Sequence, residues 1–210
     1  LYEEFLDAVD PKQVLEAWLW NVEAGYPKRP SRYIRAKTLI YAWTHGEYSH
    51  EDKFGWLEMF EDYRKALMRV MRAEEKRQFN DWLTEDKPIT VYRGELLNLD
   101  DESPDNLVPE YFNGLSWTTN VDVAEFFACR IEDETVAPME VLNHSFSPRM
   151  LTGEIHPKDI FFYSQNRNEY EVVLEPENVK EIHVRRFSAN EVKSITIRRM
   201  LSGETAYDAA

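Results

Sequence analysis

The chain is poor in cysteine and histidine, with one of the first and five of the second in 210 residues. A lone thiol, Cys129, cannot close an internal disulfide, which fits a reducing compartment. The expected location is the cytoplasm, or a host's cytoplasm if the protein is delivered. The histidines lack metal-site spacing: His45 and His50 are five apart, and His144, His156 and His183 lie in separate segments. No metal is expected. Positive charge is scarce as well, 25 Lys and Arg against 39 Asp and Glu, for a formal net charge of −14. Such a chain is repelled by a phosphate backbone, so nucleic-acid binding is not expected and a basic protein partner is easier to accommodate. No apolar run approaches the ~18 residues of a membrane span. The opening "LYEEFLDAVD" is acidic, with no basic region ahead of an apolar stretch, and does not read as a secretory signal.

Apolar residues make up 43% of the chain and aromatics 13%, enough for a sizeable core in one domain or a domain with an added subdomain. Residues 1–86 read as helical. Asp10-Pro11 caps a first helix with Val14, Leu15, Trp18, Leu19 and Val22 on one stripe, ended by Gly25 and Pro27. Pro30-Ser31 opens a second with Ile34, Ile40, Tyr41 and Trp43, and Ser49 with Asp52 forms a capping box ahead of a third segment long enough for two helices. The tryptophans of this half, Trp18, Trp20, Trp43, Trp56 and Trp82, read as core rather than interface.

From Pro88 the texture changes to short β-rich runs: "PITVYRG", "GLSWTT", "MEVLNHSF", "MLTGEI", "DIFFYS", "YEVVLE", "EIHVRRF" and "SITIRRM". One helix, "VDVAEFFACRIE", interrupts them, with Thr119 and Asp122 spaced as its capping box. Connections this short cannot make parallel crossovers, so residues 87–201 are expected to form a mainly antiparallel α+β core, followed by a tail at 202–210. "NLDDESPDNLVPE" reads as an acidic loop.

Three stretches can carry chemistry. "RNEYEVVLEP" sets Glu169 and Glu171 one residue apart; in a strand they share a face about 6.6–6.8 Å apart, with Tyr170 opposite. Like charges so placed either both face water or serve a site. In "VYRG", Arg93 stands at the end of a β-branched run before Gly94, which permits close backbone approach by a ligand; taken alone, the arginine is better explained by a strand-end salt bridge. In "GLSWTTNVDVAEFFA", Ser116 and Thr118 share one strand face and Trp117 takes the other. Ser116 can hold a neighbouring glutamate, or merely satisfy backbone after Gly114.

Taken in order, Arg93 in "YRG", Ser116 in "SWTT" and Glu169/Glu171 in "EYEVVLEP" resemble the signature of the Arg-Ser-Glu mono-ADP-ribosyltransferases, above all compact bacterial and bacteriophage members. The resemblance covers residues 88–186, including "HPKDIFFY", and departs from the pattern at Trp117, where the family has a small residue. It implies an ADP-ribosyltransferase-like β-sandwich core with NAD as substrate. Arg93 holds a diphosphate or ribose oxygen, Gly94 offers backbone to the nicotinamide amide, and Ser116, Trp117 and Thr118 line the cofactor site. Glu171, oriented by Ser116, stabilises the oxocarbenium-like state. Glu169 takes up the acceptor, a protein arginine, with Tyr163 as an aromatic platform, although "IFFYS" is equally plain strand core. The acceptor is expected to be a host protein, in the manner of a toxin or a phage factor. Two alternatives stay open, an NAD glycohydrolase on the same fold and a catalytically inactive binding module.

Overall fold

The computed structural model describes residues 31–45, 53–98, 114–129 and 146–202. The expected helix at 14–22, the capping box at Ser49, the acidic loop beyond Asn98, the strand at 139–145 and the tail beyond 202 lie outside them. The chain divides into two compact units, Leu1–Lys76 and Arg77–Ala210. The division falls ten residues before the change of texture at 86–87, inside a helix. Trp82, whose ring meets Tyr163 edge-on at 4.7 Å, thus lies in the second unit with the strands.

In the first unit, α1 (Arg32–His45) and α2 (Lys53–Val70) pack through aromatic side chains. Ser31 Oγ accepts the Ile34 amide at 3.3 Å and caps α1. Ala36, Leu39 and Trp43 are buried at helical spacing, as are Trp56, Phe60 and Leu67 on α2. Trp43 meets Trp56 at 5.0 Å and Phe60 at 5.2 Å, both edge-to-face, the arrangement that aligns a positive ring edge with a negative ring face. The long helical run then breaks at Met71-Arg72, and α3 (Ala73–Glu85) begins. Glu75, only 3% exposed, causes the break: its carboxylate accepts the Arg72 amide at 2.8 Å and the Arg72 Nε at 2.8 Å. A side chain that reaches back to the capping residue's own N–H is half of a capping box.

The second unit is built on β1 (Ile89–Asn98), β2 (Ser116–Thr118), β3 (Phe146–Ile155), β4 (Ile160–Ser164), β5 (Glu171–Leu174) and β6 (Lys180–Arg186). All form one sheet in the order β4-β5-β2-β1-β3-β6, and every neighbouring pair is antiparallel. The α+β class and antiparallel pairing agree with the sequence pattern. The β-sandwich that the resemblance implies is not seen among the described residues: they form a single sheet, and the face that carries Tyr92, Gly94 and Met150 is covered by helices rather than by a second sheet. Those helices are α4 (Val121–Cys129) and α5 (Ala189–Ser202). Ala124, Ala128, Cys129, Met150, Phe187, Val192 and Ile195 form one buried cluster, with Tyr92 packed against it.

Two sequence expectations about these helices are corrected. "SITIRRM", expected as a strand, is the body of α5. Its β-branched residues favour strands weakly, but the start signal before them is stronger. The Ser188 amide donates to Glu191 Oε2 at 2.8 Å, and the Glu191 amide to Ser188 Oγ at 3.4 Å. That is a full capping box, and the flanking Phe187 and Val192, both in the cluster, stand at the positions of a hydrophobic staple. The cap of α4 is Asn120 rather than Thr119: Asn120 Oδ1 accepts the Asp122 amide at 2.9 Å, while the Thr119 amide is spent on the Tyr170 carbonyl at 3.1 Å.

Gly94 sets how closely α4 lies on β1. A Cβ there would stand 1.9 Å from the Ala124 carbonyl oxygen and 2.4 Å from the Ala128 amide nitrogen, both backbone atoms of the helix. Gly94→Ala therefore has to push α4 off the sheet, and urea unfolding should show a loss of about 1–3 kcal/mol. An unchanged midpoint would mean that the helix is not seated on this glycine.

The cap of α5 yields a pH prediction. Hydrogen bonds from the Ser188 hydroxyl, then from its amide and from Arg185, hold the Glu191 carboxyl down at about 2, below its ordinary 4.5. A carboxyl depressed on folding stabilises the fold fully above its unfolded value and loses that contribution as pH falls toward the folded one. The stability difference between wild type and Glu191→Gln should accordingly be largest above about pH 4.5 and close toward pH 2. A difference that stays constant across this window refutes the capping role.

Candidate active site

Of the candidate residues, Arg93 is on β1, Ser116, Trp117 and Thr118 make up β2, and Glu171 opens β5. β2 lies between β5 and β1, with Ser116 opposite Val173, Thr118 opposite Glu171, and Tyr92 opposite Thr118. Ser116 thus stands diagonally across from Glu171, on the same face and within reach of a long side chain. Its Oγ donates to Glu171 Oε1 at 2.5 Å. A bond of that length, from hydroxyl to carboxylate, is in the strong, charge-assisted class.

Arg93 is tied to the same serine through the backbone. Its Nη1 donates to the Ser116 carbonyl at 2.5 Å and its Nε to Glu95 Oε1 at 2.7 Å. The guanidinium lies flat against Gly114, where a Cβ would fall 1.9 Å from its Cζ. Of the five N–H groups in a guanidinium, those engaged by Glu95 and Ser116 fix its plane, and the others stay directed elsewhere. The structure therefore brings Arg93, Ser116 and Glu171 into one constellation, joined through a single residue of β2.

Glu169 is placed differently from expectation. β5 starts at Glu171; Glu169 closes a 3-10 turn, Asn166–Asn168, with φ −82° and ψ −17°, and Tyr170 has φ 50°. The strand alternation that would set Glu169 and Glu171 on one face does not extend back that far. Two bonds fasten the turn to the end of β2: Thr118 Oγ1 donates to the Glu169 carbonyl at 2.6 Å, and the Thr119 amide to the Tyr170 carbonyl. Thr118, 5% exposed, also accepts the Asn120 amide at 3.0 Å. Its side chain anchors the loop that leads into Glu171.

Tyr163 and Trp117 are core residues, each 2% exposed. Tyr163 stands opposite Val172, packs on Trp82 and accepts a hydrogen bond from Gln165 Nε2 at 2.9 Å. That is the strand-core alternative for "IFFYS", and the acceptor-platform reading of Tyr163 is withdrawn. Trp117 stands opposite Val172 on the other side of β5, and its buried Nε1 has no hydrogen-bond partner among the described residues. For Gly94, the contact with α4 accounts for the missing side chain without a ligand.

Two residues of this constellation escaped the sequence reading. Glu95, two positions after Arg93 and on the same face, was legible from strand periodicity alone. Arg149 was not: it reaches Glu95 because the β1–β3 register sets the two opposite each other, with Arg149 Nε and Nη2 at 2.9 and 2.7 Å from Glu95 Oε2. Among the described residues no cluster of His, Cys, Asp or Glu is placed to hold a metal, and no helix is long and apolar enough to cross a membrane. No family model, curated protein or solved structure matches the chain.

Chemically, the constellation offers a carboxylate bonded by the Ser116 hydroxyl and a guanidinium bonded to the Ser116 carbonyl. Gly114→Ala tests it without removing either group. The added methyl meets the end of a flexible side chain rather than backbone, so stability should change by no more than about 1–2 kcal/mol while the guanidinium leaves the Ser116 carbonyl. A crystal structure of the variant with Arg93 unmoved contradicts the packing described here.

Proposed function

We propose that the protein is a mono-ADP-ribosyltransferase that moves ADP-ribose from NAD to an arginine side chain of a protein acceptor. The observation that carries this reading is the bond from Ser116 Oγ to Glu171 Oε1, made by the residue whose carbonyl also holds Arg93. An oriented carboxylate is what the reaction needs. Breaking the bond between ribose C1′ and the nicotinamide nitrogen sends the electron pair out with nicotinamide and leaves positive charge on the ribose. A fixed negative charge lowers the energy of that state without reorganising. The guanidinium suits the diphosphate, which it can meet with paired N–H groups. The acceptor nitrogen then forms the new bond to C1′ and gives up its proton to a base.

The conformation of Glu169 favours a second reading, NAD glycohydrolase, in which water takes the acceptor's place. The acceptor role of Glu169 rests on the resemblance, and the shared strand face that would have supported it is absent. Glu169 remains two residues from Glu171, on a loop anchored by Thr118, and transfer requires only that it reach the acceptor guanidinium.

Isosteric variants separate the readings. Glu171→Gln should lower nicotinamide release and ADP-ribosyl-arginine formation together by at least about a hundredfold. Glu169→Gln should abolish transfer and keep most of the hydrolysis. Nicotinamide release and modified arginine are measured in parallel, the latter by mass spectrometry after incubation with NAD and a host lysate. NAD turnover with no modified arginine in the wild-type chain selects the glycohydrolase. NAD binding without turnover selects an inactive module, and full activity in Glu171→Gln overturns the mechanism.

A further inference from the structure

We propose that Glu95 and Arg149 are positioning residues that hold the Arg93 guanidinium in the plane from which it grips an anionic ligand; the ligand assignment rests on the reading of Arg93 above.

Glu95 divides its carboxylate between two arginines. Oε1 takes the Arg93 Nε at 2.7 Å, and Oε2 takes both Nε and Nη2 of Arg149. All three side chains are largely sequestered, with 16% of Arg93, 14% of Glu95 and 4% of Arg149 exposed. Away from water, charged groups are stable only when paired with good geometry, and the removal of one partner leaves the other at a cost. The division has a directional consequence. A carboxylate facing a single guanidinium closes the bidentate fork, in which two parallel N–H···O bonds consume the arginine's binding edge. Arg149 occupies Oε2 and prevents this. Glu95 can then hold Arg93 by its Nε alone, and the Nη groups stay aimed past Gly114 toward Ser116.

Register makes the arrangement rigid. Glu95 and Arg149 are cross-strand partners on adjacent central strands, and Leu151, fully buried, stands opposite Arg93. Arg93 is thus fixed at three points: Nε by Glu95, Nη1 by the Ser116 carbonyl, and its flat face by Gly114. Neither Glu95 nor Arg149 needs to touch the ligand. Their contribution is a guanidinium already in place, so binding does not have to order a long side chain.

The test uses the full chain with Glu95→Gln and Arg149→Lys, read in two ways. The first needs no ligand: the Nε–H resonance of Arg93, assigned by its loss in Arg93→Lys, should exchange with water at least about tenfold faster in Glu95→Gln than in wild type. The second is nicotinamide release, for which Glu95→Gln should raise KM for NAD about tenfold and change kcat by less than about threefold. Arg149→Lys should fall between, since an ammonium cannot reproduce both bonds to Oε2. A loss shared by kcat, KM and urea stability would indicate a merely structural ion pair and refutes the proposal. So does an unchanged Nε–H resonance, or a faster exchange that leaves KM as in wild type. A wild-type chain that neither binds nor cleaves NAD refutes the function proposed above, and the resonance then decides the positioning role by itself.

Discussion

Three residues, Ser116 to Thr118, hold the sheet and the site together. They form the shortest strand of the six and lie between the pair β4-β5 and the trio β1-β3-β6. A strand of this length makes few ladder bonds, so its place has to be secured by other means. Trp117, 2% exposed, provides apolar burial on one face, of the order of 2–3 kcal/mol for a large side chain. On the other face Ser116 and Thr118 bond Glu171 and the turn before it, and the Leu174 amide continues the register by donating to the Leu115 carbonyl at 3.0 Å. The buried, unpartnered Nε1 of Trp117 works against this, at roughly 1–3 kcal/mol. A smaller residue would avoid that cost and would also surrender the anchor. Trp117 therefore fastens the short strand at a cost that its own indole imposes.

How far the sequence could be read depends on the range of the interaction involved. Strands β1, β2, β4, β5 and β6 follow from β-branched runs bounded by Pro, Gly and polar residues, and the facing of Ser116 and Thr118 follows from period two. All are local properties. Local signals can also compete, as in α5, where a β-branched run and a capping box pointed to different structures. The cap prevailed because Phe187, Val192 and Ile195 find a common apolar surface on α4, and tertiary burial outweighs a strand propensity that spans about 1 kcal/mol. Glu169 was misplaced for a related reason. The alternation of Glu-Tyr-Glu is a strand pattern, yet Tyr170 lies in the left-handed region and Asn168 at φ 56°. Nothing in those residue types marks a turn as firmly as glycine does. The turn is imposed from outside by Thr118 and Thr119.

Arg149 was out of reach by any local reading. Between Glu95 and Arg149 lie 53 residues, part of them outside the described structure, and only the β1–β3 register makes them neighbours. Pairing register is set by which hydrophobic residues go inward, here Val91 and Leu151, both fully buried. A reader of the sequence can see each half of the ion pair but not the alignment that joins them. Arg93 illustrates the same limit, since a strand-end salt bridge and a ligand-binding role had seemed to be alternatives. In the structure Arg93 has both an ion-pair partner and N–H groups left over. An ion pair at Nε does not by itself preclude a ligand at the remaining N–H groups.

Charge distribution gives the proposed reaction a physical logic. The chain as a whole carries −14, which opposes the approach of an anion such as NAD and favours that of a cationic acceptor. An enzyme for such a pair has to reverse its field locally for one substrate and leave it unchanged for the other. Reversal at short range requires cations that are sequestered, because exposed ones are screened within about 8–10 Å by salt and lost in the acidic surroundings. Arg93 and Arg149, mostly shielded from water and joined through one carboxylate, meet that requirement on the face where Arg93 lies against Gly114. On the acidic side of the proposed site, Glu171 takes the Ser116 hydroxyl. In the proposed reaction a direct pair between Arg93 and Glu171 would cancel both charges, leaving the guanidinium no edge for a phosphate and the carboxylate no effect on a developing positive charge. Ser116 keeps them apart while binding both, one through its side chain and the other through its carbonyl. That separation is why a serine, with a donor on its side chain and an acceptor on its backbone, suits the middle position between an arginine and a glutamate.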